Sequence, residues 1–172
     1  MSLKPPVSDT DHIQGDPAAA IQLVEYGDYQ CPHCGRAYPI VKRIQQKLGS
    51  KLSFVFRNFP LAEVHPNATN AAVASEAAAA QGKFWEMHDM LFEHQQNLRD
   101  ISLLKYAEQL GLDIEQFKSD FEKDITLQKV ESDFESGVRS GVNGTPTFFI
   151  NGKKYNDSWE EDILLEYLQS LG

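Results

Sequence analysis

The chain has two cysteines, Cys31 and Cys34, and they stand at the point where its hydrophobic period changes. Before them, Ile21, Leu23 and Val24 form a short apolar run of strand length, which Gly27 and Asp28 interrupt. After them, Ala37, Ile40, Val41, Ile44 and Leu48 recur at helical spacing, while Arg36, Lys42, Arg43, Gln45 and Lys47 fall mostly on the other face. The segment Cys31-Pro32-His33-Cys34 is therefore expected to join a buried strand to the first turn of a helix.

That position has chemical consequences. A helix N-terminus presents unpaired N–H groups and a partial positive charge, which favour an anion such as a thiolate. Pro32 suits the first helical position, where a missing N–H costs nothing. His33, protonated or donating a hydrogen bond, is expected to add to the stabilisation of a Cys31 thiolate, since cysteines so placed reach pKa values of about 3.5–7.5. Cys31 reads as the nucleophile. Cys34, one helical turn later and more covered, reads as the resolving thiol.

Length and composition bound the rest. At 172 residues with a 41% hydrophobic share, one domain with a sizeable core is expected. A formal charge of −9 gives no general attraction for nucleic acid, and the alanine-rich run Ala71 to Ala80 is interrupted by Ser75 and Glu76. A soluble chain with no membrane insertion follows. The first residues lack the apolar core of a signal peptide; Met1-Ser2-Leu3 is compatible with a remnant left where a presequence was removed. The compartment would then be periplasmic or extracytoplasmic, and otherwise cytoplasmic.

Along the chain, residues 1–17 read as an extended lead-in. Leu52, Phe54 and Phe56 alternate through a second strand ending near Phe59, which makes a parallel βαβ unit with the first. Pro60 then opens about eighty residues of helical character, at about 61–140, best read as an insertion. Within it, Asp113 with Gln116 resembles a capping box, and Leu127, Val130, Phe134 and Val138 define a longer helix. Thr147 to Ile150 reads as a strand, Asn151-Gly152 as a type I′ turn, and Lys153 to Tyr155 as its return. Ser158 with Glu161 suggests a capped final helix whose Ile163, Leu164, Tyr167, Leu168 and Leu171 face inward.

Four stretches together resemble one family. VEYGDYQCPHC, Pro39 shortly after the second cysteine, VFRNFPL, and GVNGTPTFFINGKKY are similar to the thioredoxin-like proteins, and among them to the DsbA-like disulfide oxidoreductases. The chain is also similar to thioredoxin-like domains fused to some bacterial sodium/proton antiporters. The resemblance implies an α/β thioredoxin fold, β-α-β then β-β-α, with an all-helical insertion, over residues 18–172 as a single domain. It implies a thiol:disulfide oxidoreductase of protein thiols, with the oxidase or isomerase direction favoured. No cofactor is implied beyond a redox-active Cys31–Cys34 disulfide. The expected partners are polypeptides with thiols or disulfides, and a redox partner protein or glutathione.

The same resemblance makes Pro146 a cis-proline beside the cysteines, with the backbone of Thr145 as a short edge for an extended substrate. It matches Glu25, six residues before Cys31, to a buried acid able to relay the proton of Cys34, with Arg57 as a candidate cationic partner. Gln30 stands where thioredoxins carry tryptophan, which weakens a reductant role.

Three rival readings compete. Cys31, Cys34 and His33 could bind zinc with one of His12, His65, His88 or His94, but no second paired motif exists. His88 and His94 read more simply as helix-surface residues, and Phe84, Trp85 and Phe92 as core. A redox-regulatory or peptide-binding module, such as a holdase or transporter partner, would keep the fold without turnover. A dithiol- or glutathione-linked enzyme acting on a small molecule would need a pocket.

Overall fold

The computed structural model describes residues 1–172. Strand β1 (His12–Gly15) is followed by β2 (Ile21–Gly27), helix α1 (Pro32–Leu48), a 3-10 turn (Gly49–Lys51) and β3 (Leu52–Asn58). Five helices come next: α2 (Ala68–Ala79), α3 (Phe84–Glu93), α4 (Asp100–Gln109), α5 (Ile114–Glu122) and α6 (Asp124–Arg139). Strands β4 (Thr147–Ile150) and β5 (Lys153–Lys154) and helix α7 (Glu161–Leu171) complete the chain. The sheet order is β1-β3-β2-β4-β5, with β2 and β3 parallel from Ile21↔Leu52 to Gly27↔Asn58 and the other pairs antiparallel.

Alternation along the strands divides the core. On one face Ile21, Leu23, Phe54, Phe56, Phe148 and Ile150 pack with Ile44 and Val41 of α1 and Leu164 and Leu168 of α7. On the other, Val24, Tyr26, Val55 and Phe149 meet Leu3, Phe59 and Val142, and Phe134 of α6 stacks on Phe59 with ring centroids 4.2 Å apart. With both faces covered, all seven residues of β3 are buried. Helix α2 is alanine-dominated and buried on nearly every side, because small side chains let α3, α5 and α6 approach it closely. Asn151 and Gly152 have φ of 50° and 84°, the paired positive values a type I′ turn requires.

Several expectations need correction. The lead-in is not merely extended: His12–Gly15 form the edge strand paired with β3, and Leu3 is buried. Ser158 does not cap α7. Its hydroxyl accepts from the N–H of Glu160, which is itself the N-cap. On α7 only Leu164 and Leu168 are buried, while Ile163, Tyr167 and Leu171 are exposed, because α1 covers one narrow stripe of that helix. Leu127 and Val138 of α6 are also exposed. His88 is no surface residue. It lies buried among Phe54, Phe56, Trp85 and Phe92, with Nδ1 2.9 Å from the Tyr29 hydroxyl. Asp113, by contrast, caps α5 as expected, its carboxylate accepting from the Gln116 N–H at 2.9 Å.

Candidate active site

The strand-to-helix turn places Cys31 as the N-cap of α1, with Pro32 at the first helical position. The turn is fastened by its own backbone: Cys31 N–H donates to Asp28 O at 3.1 Å, and Gly35 N–H donates to Cys31 O at 3.0 Å. Cys34 follows one turn deeper, fully buried, and both cysteines are free thiols. A hydrogen bond from the Cys34 thiol, outweighing burial and helped by the Thr145 side chain and the N–H groups of Cys34 and His33, lowers the Cys31 pKa from 9.0 to about 5. Burial first, then that same hydrogen bond and the charges of Glu25 and Cys31, push Cys34 well above 9.0. Two chemically identical groups are thereby made unlike. His33 serves the sulfur through its backbone N–H, while its ring is exposed.

Across from Cys31 runs the loop before β4. The Thr145–Pro146 bond is cis, and the Thr145 carbonyl oxygen lies 3.7 Å from Cys31 Sγ. The Thr145 hydroxyl is buried without a hydrogen-bond partner of its own and acts on both sulfurs to lower their pKa.

Glu25 sits in the middle of β2, opposite Phe56 on one side and Phe148 on the other. Its carboxyl is buried and Oε2 has no partner. Burial, with a smaller contribution from the charge of Cys31, raises its pKa from 4.5 to about 8. Gly27 makes this possible: a Cβ there would stand 2.4 Å from Phe56 Cε1 and 2.8 Å from Glu25 Oε2. Arg57 is not the partner of Glu25. It lies one register step beyond Phe56 and so points to the other sheet face, where Asp11, Tyr26 and Pro5 O accept from its guanidinium at 2.8–3.0 Å.

The histidines that could have joined the cysteines around a metal lie elsewhere. His12 bonds Glu76, His65 bonds Asp28, His88 bonds Tyr29, and His94 bonds Met90 O.

Other site residues were not singled out from the sequence. Gln95, in the α3–α4 loop, donates from Nε2 to Tyr29 O and Cys31 O, each at 2.9 Å. Gly35 gives it room, since a Cβ there would meet Gln95 Oε1 at 2.0 Å. Asp28, buried three residues before Cys31, accepts from Gln30 N–H, Leu61 N–H and His65 Nδ1. The one available signal was Gly35 itself, a glycine in the first turn of a helix, where it lowers propensity.

A thioredoxin family model matches residues 7–170. The chain is 44% identical over 170 residues to a Na(+)/H(+) antiporter NhaA 1 of Mycobacterium sp. (strain KMS), covering 98% of this chain and 28% of that protein. It is 39% identical over 171 residues to a Na(+)/H(+) antiporter NhaA of Herminiimonas arsenicoxydans, covering 99% and 27%. It thus spans under a third of the length of the curated relatives it matches. Among solved structures it is similar to a thioredoxin-like oxidoreductase from Silicibacter pomeroyi DSS-3, at TM-score 0.83 and 26% identity, covering 95% of this chain and 92% of that one. It is also similar to oxidised BdbD from Bacillus subtilis, at TM-score 0.82 and 25% identity, covering 94% and 92%.

Proposed function

Because the chain belongs to the thioredoxin family, matched over residues 7–170, we propose that it is a thiol:disulfide oxidoreductase of protein thiols, working through Cys31 and Cys34. The observation that carries this reading is the placing of Cys31 at the N-cap of α1, 3.7 Å from the Thr145 carbonyl oxygen before a cis-proline, with Cys34 buried one turn deeper; the two sulfurs are split accordingly, one lowered to about 5 and the other pushed well above 9.0. At neutral pH Cys31 is then a thiolate and Cys34 a thiol.

In the oxidising direction the protein starts as the Cys31–Cys34 disulfide. A substrate thiolate attacks Cys31 Sγ, the bond to Cys34 breaks, and its electron pair leaves on the Cys34 sulfur. That sulfur takes a proton, a role this reading assigns to Glu25, which is buried and neutral below about 8. A second substrate thiolate attacks the substrate sulfur of the mixed disulfide, and Cys31 departs as a thiolate. The substrate loses two electrons and closes a disulfide; the protein gains them as a dithiol. The low pKa of Cys31 makes it a good leaving group and stabilises the reduced form, which favours the oxidase or isomerase direction; each shift of about 30 mV is a factor of ten in equilibrium. Thr145, beside Pro146, offers backbone to which an extended substrate can add.

No cofactor is required beyond this cysteine pair, and a redox partner protein or glutathione would reset it. No helix is long and apolar enough to cross a membrane. A second reading, a redox-regulatory or peptide-binding module of a transporter, is favoured by relatives that are antiporters more than three times as long as this chain. Oxidative refolding of a reduced, unfolded substrate separates the two. We expect turnover by the wild type and none by Cys31→Ser; equal activity in both would overturn the enzymatic reading. His33→Pro is expected to weaken the oxidant in equilibrium with glutathione.

A further inference from the structure

Beside the active-site turn lies a cleft of about 350 Å³ whose lining is almost wholly polar. Gln30, Asn67, Gln95, Gln96 and Asn97 furnish five side-chain amides, and Arg99 is the one charged side chain. Gln30 directly precedes Cys31, so the cleft begins one residue from the sulfur-bearing position. Its walls are tied to the active-site turn from two sides. Gln95 holds the carbonyls of Tyr29 and Cys31, and Gln30 Oε1 accepts the Asn67 N–H at 2.7 Å. Arg99 takes part in no ion pair of the molecule, although the chain carries a net charge of −9.

The chemistry of this lining selects its occupant. A carboxamide both donates and accepts, and those of Asn67, Gln96 and Asn97 hold no other group of the protein, so they match the alternating N–H and C=O of an extended main chain without reading its side chains. An unfolded polypeptide held at Thr145 on one side of its cysteine still has unpaired backbone on the other. We propose that this cleft, which begins at Gln30 beside Cys31, binds the main chain of an extended polypeptide substrate next to its cysteine, with Arg99 selecting an acidic residue there. The proposal rests on the oxidoreductase reading above and names its substrate class.

Glutathione carries the same carboxylate chemistry but too little main chain to span the amides, so it serves as one arm of the test. The oxidised protein is mixed with three thiols: a short peptide whose single cysteine is flanked by aspartates, the same peptide with lysines in their place, and glutathione. The rate constant of mixed-disulfide formation at Cys31 is read for each. In the wild type the acidic peptide should react about threefold faster than the basic one, the scale of one exposed charge pair. Arg99→Glu should reverse that order, and Arg99→Lys should keep it. Asn67→Ala with Asn97→Ala should slow both peptides about threefold relative to glutathione, the scale of a lost hydrogen bond. The proposal is overturned if the acidic-to-basic ratio is the same in Arg99→Glu as in the wild type, or if the amide variant slows glutathione as much as the peptides. Failure of all three thiols to react would sink the oxidoreductase reading with it. Both variants change partly or fully exposed side chains, and the Asn97 carbonyl that receives the Tyr106 hydroxyl is kept.

Discussion

Cys31 and Glu25 titrate in opposite senses, to about 5 and about 8 respectively, so near neutrality the charge of the site rests on sulfur while the carboxyl stays protonated. The two shifts act oppositely on stability. A thiol lowered from 9.0 to about 5 binds fewer protons folded than unfolded, so its contribution grows as pH rises from 5 to 9. A carboxyl raised from 4.5 to about 8 binds more protons folded, so its contribution falls as pH rises from 4.5 to 8. Between 5 and 8 the reduced protein should therefore show little net slope from this pair. Glu25→Gln removes one side of the balance. Its urea midpoint, relative to the wild type, should climb with pH between about 4.5 and 8 by the equivalent of at most about 5 kcal/mol. A pH-independent difference would mean that Glu25 titrates as an ordinary carboxylate. For Cys31, thiolate absorbance should titrate near 5, and Thr145→Val should raise that midpoint by removing the hydroxyl that helps to hold the anion. A wild-type midpoint above about 8 would contradict the geometry of the turn.

Among the secondary-structure elements, the features that periodicity can see were legible before the structure. The change from strand to helix at Cys31, the parallel partner strand, the Asn151-Gly152 hairpin and the helical character of the stretch between β3 and β4 all rest on local pattern. Contacts made across the chain were not. Arg57 could be offered to Glu25 only as a candidate by its charge; its true partner, Asp11, follows from the pleat, which turns adjacent residues to opposite faces. His88 looked like a surface residue because its helix is amphipathic, yet that helix packs on three sides. Gln95 had no local signal at all, since its meaning lies in carbonyls more than sixty residues away. Its bond pair predicts that Gln95→Ala lowers stability by about 1–3 kcal/mol, two neutral hydrogen bonds at the usual net value each. Gly35→Ala should cost a similar amount by displacing the same side chain, and the double variant should cost much less than the sum. Additive losses, measured by denaturant midpoint, would show that the two substitutions act independently.

Over the whole molecule, the first fifteen residues join the two edges of the sheet. Ser2 bridges to Lys153 of β5 and Leu3 N–H donates to Gly152 O, while His12–Gly15 pair with β3 at the opposite edge. Between those ends the segment crosses the face that holds Tyr26 and Phe149, and it is pinned there by Arg57. The guanidinium donates to Asp11 at 2.8 and 3.0 Å and to Pro5 O at 3.0 Å, with Arg57 2% exposed. Burial works to raise the Asp11 pKa, but the hydrogen bond from Arg57, the Ser8 N–H and the charge of Arg57 together hold it below 3.8. Removing one partner of a buried pair strands the other, so Asp11→Asn should lose about 3–5 kcal/mol near neutral pH. Because the folded carboxyl is depressed, its stabilisation is present above 3.8 and lost as pH falls below that value, so the gap between variant and wild type should narrow in acid. The Cys31 titration, on the far side of the sheet, should stay near 5 in Asp11→Asn. A midpoint that moved with Asp11 would show that the strap and the cysteine turn are coupled through β2 and β3, and that the two faces of this sheet do not act separately.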